Sequence, residues 1–249
     1  MTSTAGASRP IDVIWQDVEC GAYAADLKLW GELAAASDGP ILDVGCGAGR
    51  VALHLAKRGH RIVGLDANAS LLAALAERAG DLTVETAPGD ARKFEFGEKF
   101  GLVLAPMQLV QLFETPAERA ACLSSAASHL RPGGTIALAI APVEEVLGGE
   151  DVDPMEIAPD VREVDGWVYS SHTRKIVVEP EQITIHRRRQ RVSPEGSLTD
   201  ELNEVTLRVV SAEALEEEGC KVGLRPAGRR SIPPTDDHVG STVVLLEAP

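Results

Sequence analysis

The densest chemistry in this 249-residue chain lies in Ile41-Leu42-Asp43-Val44-Gly45-Cys46-Gly47-Ala48-Gly49-Arg50. Three glycines separated by single residues follow an apolar run and precede a helical pattern. Ile41, Leu42 and Val44 read as a strand buried on both faces. Glycine permits positive φ and lets another group approach bare backbone. A strand, a glycine turn and a helix N-terminus together suit a nucleotide. A dinucleotide fingerprint, Gly-x-Gly-x-x-Gly, would put its third glycine at position 50, where this chain has Arg50. Asp43 discriminates further. A carboxylate repels a neighbouring pyrophosphate, but it suits a nucleoside that carries an ammonium or sulfonium and no phosphate. Asp66, 17 residues beyond Gly49, ends a second short strand, Arg61 to Asp66. There it can accept hydrogen bonds from both hydroxyls of a ribose, with Asn68 or Ser70 available to cap the next helix in its place.

Asp43, Gly45, Gly47 and Gly49 resemble motif I of the class I S-adenosylmethionine-dependent methyltransferases, acidic-x-Gly-x-Gly-x-Gly. The resemblance implies S-adenosylmethionine as methyl donor and a set of donor-binding positions. In the loop these are Asp43, Gly45, Cys46, Gly47 and Gly49, and beyond the second strand Asp66, Ala67 and Leu71. Asp90 would accept from the adenine amino group, with the Ala91 amide offered to the ring. Ala105 and Pro106 would also bind the donor, Pro106-Met107-Gln108 would face the transferred methyl, and Tyr23 would touch the methionine carboxylate. Leu130-Arg131-Pro132-Gly133-Gly134 matches a further family signature, whereas Gly101 stands where the family usually has Asp. Ala105-Pro106-Met107-Gln108 departs from the Asp/Asn-Pro-Pro-aromatic motif of nucleic-acid amine methyltransferases, which speaks against a base-methylating enzyme. Candidate catalytic residues are His238, Gln108 and His172, each with a plain structural reading beside it.

The positioning elements follow from periodicity. A helix is expected over Tyr23 to Ala36, then strands over Ile41–Val44, Arg61–Asp66, Leu82–Glu85, Phe100–Pro106 and Thr135–Ala141, alternating with helices. This alternation implies an α/β fold with a doubly wound, mostly parallel, Rossmann-like sheet. Val143 to Pro159 reads as an acidic loop. Trp167–Val178, Gln182–Val192 and Leu202–Val210 then alternate as strands separated by Pro- and Gly-containing turns, an antiparallel β insertion. Sugar N-methyltransferases and glycine N-methyltransferase-like enzymes carry a sheet at this place, where it roofs the donor site. A helix over Ala212–Gly219 and strands over Cys220–Arg225 and Ser241–Glu247 complete the chain, and the family resemblance implies that the final strand is antiparallel. The division is 1–142, N-terminal helix and cofactor-binding half; 143–210, insertion; 211–249, last helix and two strands. Arg187-Arg188-Arg189-Gln190-Arg191 alternates between strand faces, so it makes no single basic patch.

The net charge of −14, from 38 acidic and 24 basic residues, argues against nucleic-acid or anionic-membrane partners. Cys20, Cys46, Cys122 and Cys220 show no metal-ligand spacing and read as reduced thiols of a cytoplasmic protein. No metal is expected, and no membrane span. The expected reaction is methyl transfer to nitrogen or oxygen of a small-molecule acceptor by a monomer or homodimer. The rival readings are a catalytically silent donor-binding protein, an RNA or protein methyltransferase, and an NAD-dependent oxidoreductase.

Overall fold

The computed structural model describes residues 9–141, 157–235 and 238–249. The acidic loop, apart from 157–159, and the pair Asp236-Asp237 lie outside the described residues. Two helices, α1 (Ile11–Cys20) and α2 (Leu27–Ala35), precede β1 (Ile41–Val44), α3 (Arg50–Ala56), β2 (Ile62–Asp66), α4 (Ala69–Ala79) and β3 (Val84–Pro88). The chain then forms β4 (Phe100–Ala105), a 3-10 turn (Leu109–Gln111), α5 (Pro116–Ser128) and β5 (Leu130–Ile140). Four strands follow: β6 (Asp160–Val164), β7 (Trp167–Glu179), β8 (Gln182–Val192) and β9 (Leu198–Arg208). The chain closes with α6 (Ala212–Lys221), β10 (Arg225–Ile232) and β11 (Ser241–Glu247).

The seven-stranded sheet has the order β3-β2-β1-β4-β5-β11-β10. Strands β3 to β5 run parallel, and β11 is antiparallel to both of its neighbours. Helices cover both faces, which explains why β1 and β4 are buried at every residue. The order in which strands are added reverses between the neighbouring parallel strands β1 and β4, so the crevice at their C-terminal ends is the topological switch point where doubly wound sheets bind ligands. The second sheet, β6-β7-β8-β9, is wholly antiparallel. It leaves the core after β5 and returns before α6.

One buried side chain holds both roots of that excursion. Gln111, 0% exposed, accepts the Ala141 amide at 2.7 Å and donates to the Arg208 carbonyl at 3.1 Å. The second sheet is therefore tied to the turn that follows β4.

Several expected boundaries move. The expected helix over Tyr23–Ala36 begins at Leu27, and a separate helix, α1, precedes it. Val13, Ile14, Trp15 and Val18 of α1 are buried, each contributing roughly 1.5–3 kcal/mol. The third strand begins at Val84 and not Leu82. Its link to β4 contains no helix. Instead, His129 Nε2 accepts the Phe96 amide at 2.8 Å and Nδ1 donates to the Ser125 carbonyl at 2.7 Å, pinning that irregular stretch. The insertion has four strands, with β6 added and β9 starting at Leu198. The last helix runs to Lys221, so β10 falls at Arg225–Ile232. Pro226 and Gly228 make β10 a poor strand by composition, but edge strands tolerate such residues.

Candidate active site

The glycine turn has the backbone its composition requires. Gly45, Gly47 and Gly49 have φ of 70°, 55° and 93°, all left-handed. The space where their Cβ atoms would stand is taken by Leu109, Gln16 and Leu75 respectively. Gln16, on α1, also accepts the Ala48 amide at 2.6 Å. Helix α1 thus lies directly over the loop.

Asp66 at the tip of β2 accepts the Gly47 amide at 2.8 Å through one oxygen and the Asn68 amide at 2.8 Å through the other. Asn68 itself caps α4, bonding the Ser70 and Leu71 amides, which leaves Asp66 free of that duty. Each Asp66 oxygen retains a second lone pair for a ribose hydroxyl.

Asp43 is 1% exposed, and neither oxygen has a hydrogen-bond partner of ordinary geometry. Burial pushes its pKa up to about 7; Arg50 and the Ala52 amide offset part of this, and Asp66 and Asp26 add to it. A buried carboxylate without partners is costly. A cationic ligand group would relieve that cost.

Asp43, Gly45, Cys46 and Pro106 line one cavity of ≈540 Å³ together with Gln16, Cys20, Arg50 and Met107. Met107 has φ 55°, a left-handed conformation that costs a non-glycine residue of order 1–3 kcal/mol. This strain lies at the end of β4, beside Gln108, where the methyl-facing residues were expected. Ala105 is buried beneath. Cys46 is buried with its thiol against Gly64, and burial drives its pKa upward.

Arg50 makes a bidentate pair with Asp26, both contacts 2.6 Å, and donates to the Tyr23 carbonyl at 2.9 Å. Its guanidinium lies 5.1 Å from the Tyr23 ring centroid. The same ring meets His238, with centroids 4.7 Å apart. Two rim candidates far apart in the chain are therefore in contact. Burial, with the Asp26 charge, raises the Tyr23 pKa.

Other expected positions lie elsewhere. Ala67 and Asp90 are exposed, and Leu71 and Ala91 half-buried, on the open side formed by the ends of β2 and β3. Asp90 is engaged by Arg92 at 2.7 Å, and Arg92 by Glu118. The Arg92 hydrogen bond holds the Asp90 carboxyl below its usual pKa. His172 registers with Arg188 on the roof face that turns away from α1. Met107 falls in the expected methyl-facing run, whereas Gln16, Cys20, Asp26 and Arg50 were not expected as site residues. Of these four only Arg50, next to the last glycine, had a sequence signal.

The roof meets α1 through Glu19. Its carboxylate accepts from Arg189 at 2.7 and 2.8 Å and from the Ser171 hydroxyl at 2.8 Å. Trp15 packs edge-on against Tyr169 with centroids 5.5 Å apart. Arg188 pairs on the opposite face with Asp200. The basic run is thus divided between faces, as strand alternation requires.

Residues 41–134 match the methyltransferase domain family. The chain is 35% identical over 111 residues to a cypemycin N-terminal methyltransferase of a Streptomyces species, covering 44% of this chain and 45% of that one. It is 34% identical over 96 residues to a dTDP-3-amino-3,4,6-trideoxy-alpha-D-glucopyranose N,N-dimethyltransferase of Streptomyces venezuelae, covering 39% and 40%. The chain thus spans less than half the length of these relatives. The structure superposes on the sugar N-methyltransferase KedS8 of a Streptoalloteichus species with a TM-score of 0.72 at 20% identity, over 100% of this chain and 98% of the other. The chain as a whole thus has the fold of that methyltransferase, and its residues 41–134 match the methyltransferase domain family.

Proposed function

We propose that this protein transfers a methyl group from S-adenosylmethionine to a small-molecule acceptor, at nitrogen in preference to oxygen. The observation that carries the reading is Asp43, a buried carboxylate with unpartnered oxygens in the cavity beside the glycine turn. Such a group suits a cationic nucleoside without phosphate. S-adenosylmethionine would supply a methyl group already activated on its sulfonium. The protein then has to bind, orient and exclude water. Gly45, Gly47 and Gly49 present the loop backbone, Asp66 stands at the ribose position, and Asp90 with Ala91 stands at the adenine position.

Cys46, Ala67, Leu71, Ala105 and Pro106 complete the donor walls in this reading. Tyr23, held by Arg50, closes the methionine end. His238, in ring contact with Tyr23, is assigned the proton acceptor at the rim, and Gln108 a polar contact to the acceptor beside Met107. Of the three relatives and structures named above, one is named a sugar N-methyltransferase, one an N,N-dimethyltransferase and one an N-terminal methyltransferase. That agreement favours an amine, which needs only to be neutral when it attacks. The division at 142 and 210 is retained, with the insertion as acceptor-side roof. No described helix is long and apolar enough to cross a membrane, and we place the protein in the cytoplasm as a monomer or homodimer.

The test is incubation with isotopically labelled S-adenosylmethionine and a panel of amines and alcohols, read by mass spectrometry. Transfer to an amine supports the reading. Donor binding with no transfer to any member would favour a silent binding protein.

A further inference from the structure

The cavity beside the glycine turn carries charge that the donor reading does not use. Its lining includes Arg9, Lys57, Arg78 and Arg162, in a chain of net charge −14. These cations come from four places. Arg9 precedes α1, Lys57 follows the last residue of α3, Arg78 lies in the last turn of α4, and Arg162 is on β6. The sequence contains them in no run, so the fold assembles the cluster.

Three of the four converge on one carboxylate. Arg78 grips Asp17 of α1 at 2.6 and 2.9 Å. Arg9 and Arg162 reach the same carboxylate only at 3.7 and 3.8 Å, beyond hydrogen-bond range. Lys57 pairs with no carboxylate among the described residues. Asp160, close enough to act on Cys20 of the lining, adds a second negative charge. Arg50, also in the lining, is already spent on Asp26. Asp17 and Asp160 offset two of the four charges, and the remainder is positive.

Gathered like charges repel, and an anion among them removes that cost. The acidic chain as a whole repels anions, so an anion that binds here is held by local contacts. Guanidinium forks match oxyanions, and an ammonium adds a point charge. The uncompensated charge suits a dianion better than a carboxylate. The side chains line a cavity and do not spread along an open face, which suits a small ligand. Arg9 and Arg162 keep 43% and 45% of their side chains exposed, so an ion reaches them from solvent. The cluster also touches the glycine turn, because Arg78 donates to the Ala48 carbonyl at 3.3 Å.

We propose that Arg9, Lys57 and Arg162, together with Arg78, form a binding site for a phosphoryl dianion at the rim of this cavity. The inference goes beyond the methyl-transfer reading and does not depend on it.

The test is calorimetric titration at pH 8 and fixed ionic strength, without methyl donor, using inorganic phosphate, glycerol 3-phosphate and acetate. At least one phosphoryl ligand should saturate by about 10 mM, and acetate should bind roughly 10-fold more weakly. Tighter binding of inorganic phosphate identifies the free ion as the ligand, and tighter binding of glycerol 3-phosphate identifies an ester. Lys57→Gln and Arg162→Gln should each weaken binding, and the double variant by roughly 10-fold or more. Arg230→Gln, which removes a cation paired with Glu32 elsewhere on the surface, should leave affinity unchanged. The single variants keep the test valid if the double variant fails to fold. Absence of saturation by either phosphoryl ligand, acetate binding as tightly as phosphate, or full affinity in both single variants would overturn the proposal.

Discussion

Arg50 grips Asp26 through two 2.6 Å contacts while Trp30 Nε1 donates to the same carboxylate at 2.8 Å. Asp26 is 1% exposed. The residue that breaks a dinucleotide fingerprint is therefore the anchor joining the glycine turn to the segment before α2. Removing one member of a buried pair strands the other charge, at a cost of about 3–5 kcal/mol. Arg50→Ala should lose that much stability in urea melts. The double variant Arg50→Met/Asp26→Leu should lose less than Arg50→Ala alone.

Asp43 gives a pH dependence whose sign can be stated. An unfolded aspartate titrates near 3.9, and the folded one at about 7. Between those values the folded state holds more protons than the unfolded state. Stability therefore falls as pH rises from about 4 to about 7 and levels off above. The full penalty is roughly 4 kcal/mol at most. Asp43→Asn should match the wild type near pH 4 and exceed its melting temperature at pH 8. Affinity for a cationic donor runs the other way. It should rise through pH 7 in the wild type and stay flat in Asp43→Asn.

The space above Gly47 is filled by Gln16. Gly47→Ala therefore meets two obstacles, left-handed strain of about 1–2 kcal/mol and overlap with the Gln16 amide. In a Gln16→Ala background only the strain should remain. A double-mutant cycle should show a coupling of about 1 kcal/mol or more, measured by chemical denaturation.

Gln111 predicts a regional effect. Gln111→Leu leaves the Ala141 amide and the Arg208 carbonyl unpaired, at about 1–3 kcal/mol for each group that stays buried. The roof sheet should become more susceptible to limited proteolysis while the glycine turn stays protected. Hydrogen exchange would localise the change to β6–β9 and the segments flanking them.

Much of the core was legible because it follows from local pattern. Apolar runs, turn glycines and β–α alternation mark β1 to β5 and the switch point, and period-two alternation marks the roof. Helix α1 also carried a signal, Pro10 followed by Ile11, Ile14, Trp15 and Val18 at helical spacing, which a reading that began at Tyr23 passed over. Other features had no local signature. Glu19 meets Arg189 across 170 positions, and Tyr23 meets His238 only once the last strand has folded back. The sequence showed an acid at position 43. That its oxygens are left unpaired depends on which groups the fold brings near, and that is set by tertiary packing.

Calorimetric titration of S-adenosylmethionine into the wild-type protein and Asp43→Ala at pH 8, with NAD as comparison, tests the role of Asp43 most directly. We expect saturable one-to-one binding to the wild type, at least ~10-fold weaker binding to Asp43→Ala, and no heat from NAD. Absence of saturation by about 1 mM donor, equal affinity in both proteins, or tight binding of NAD would contradict it.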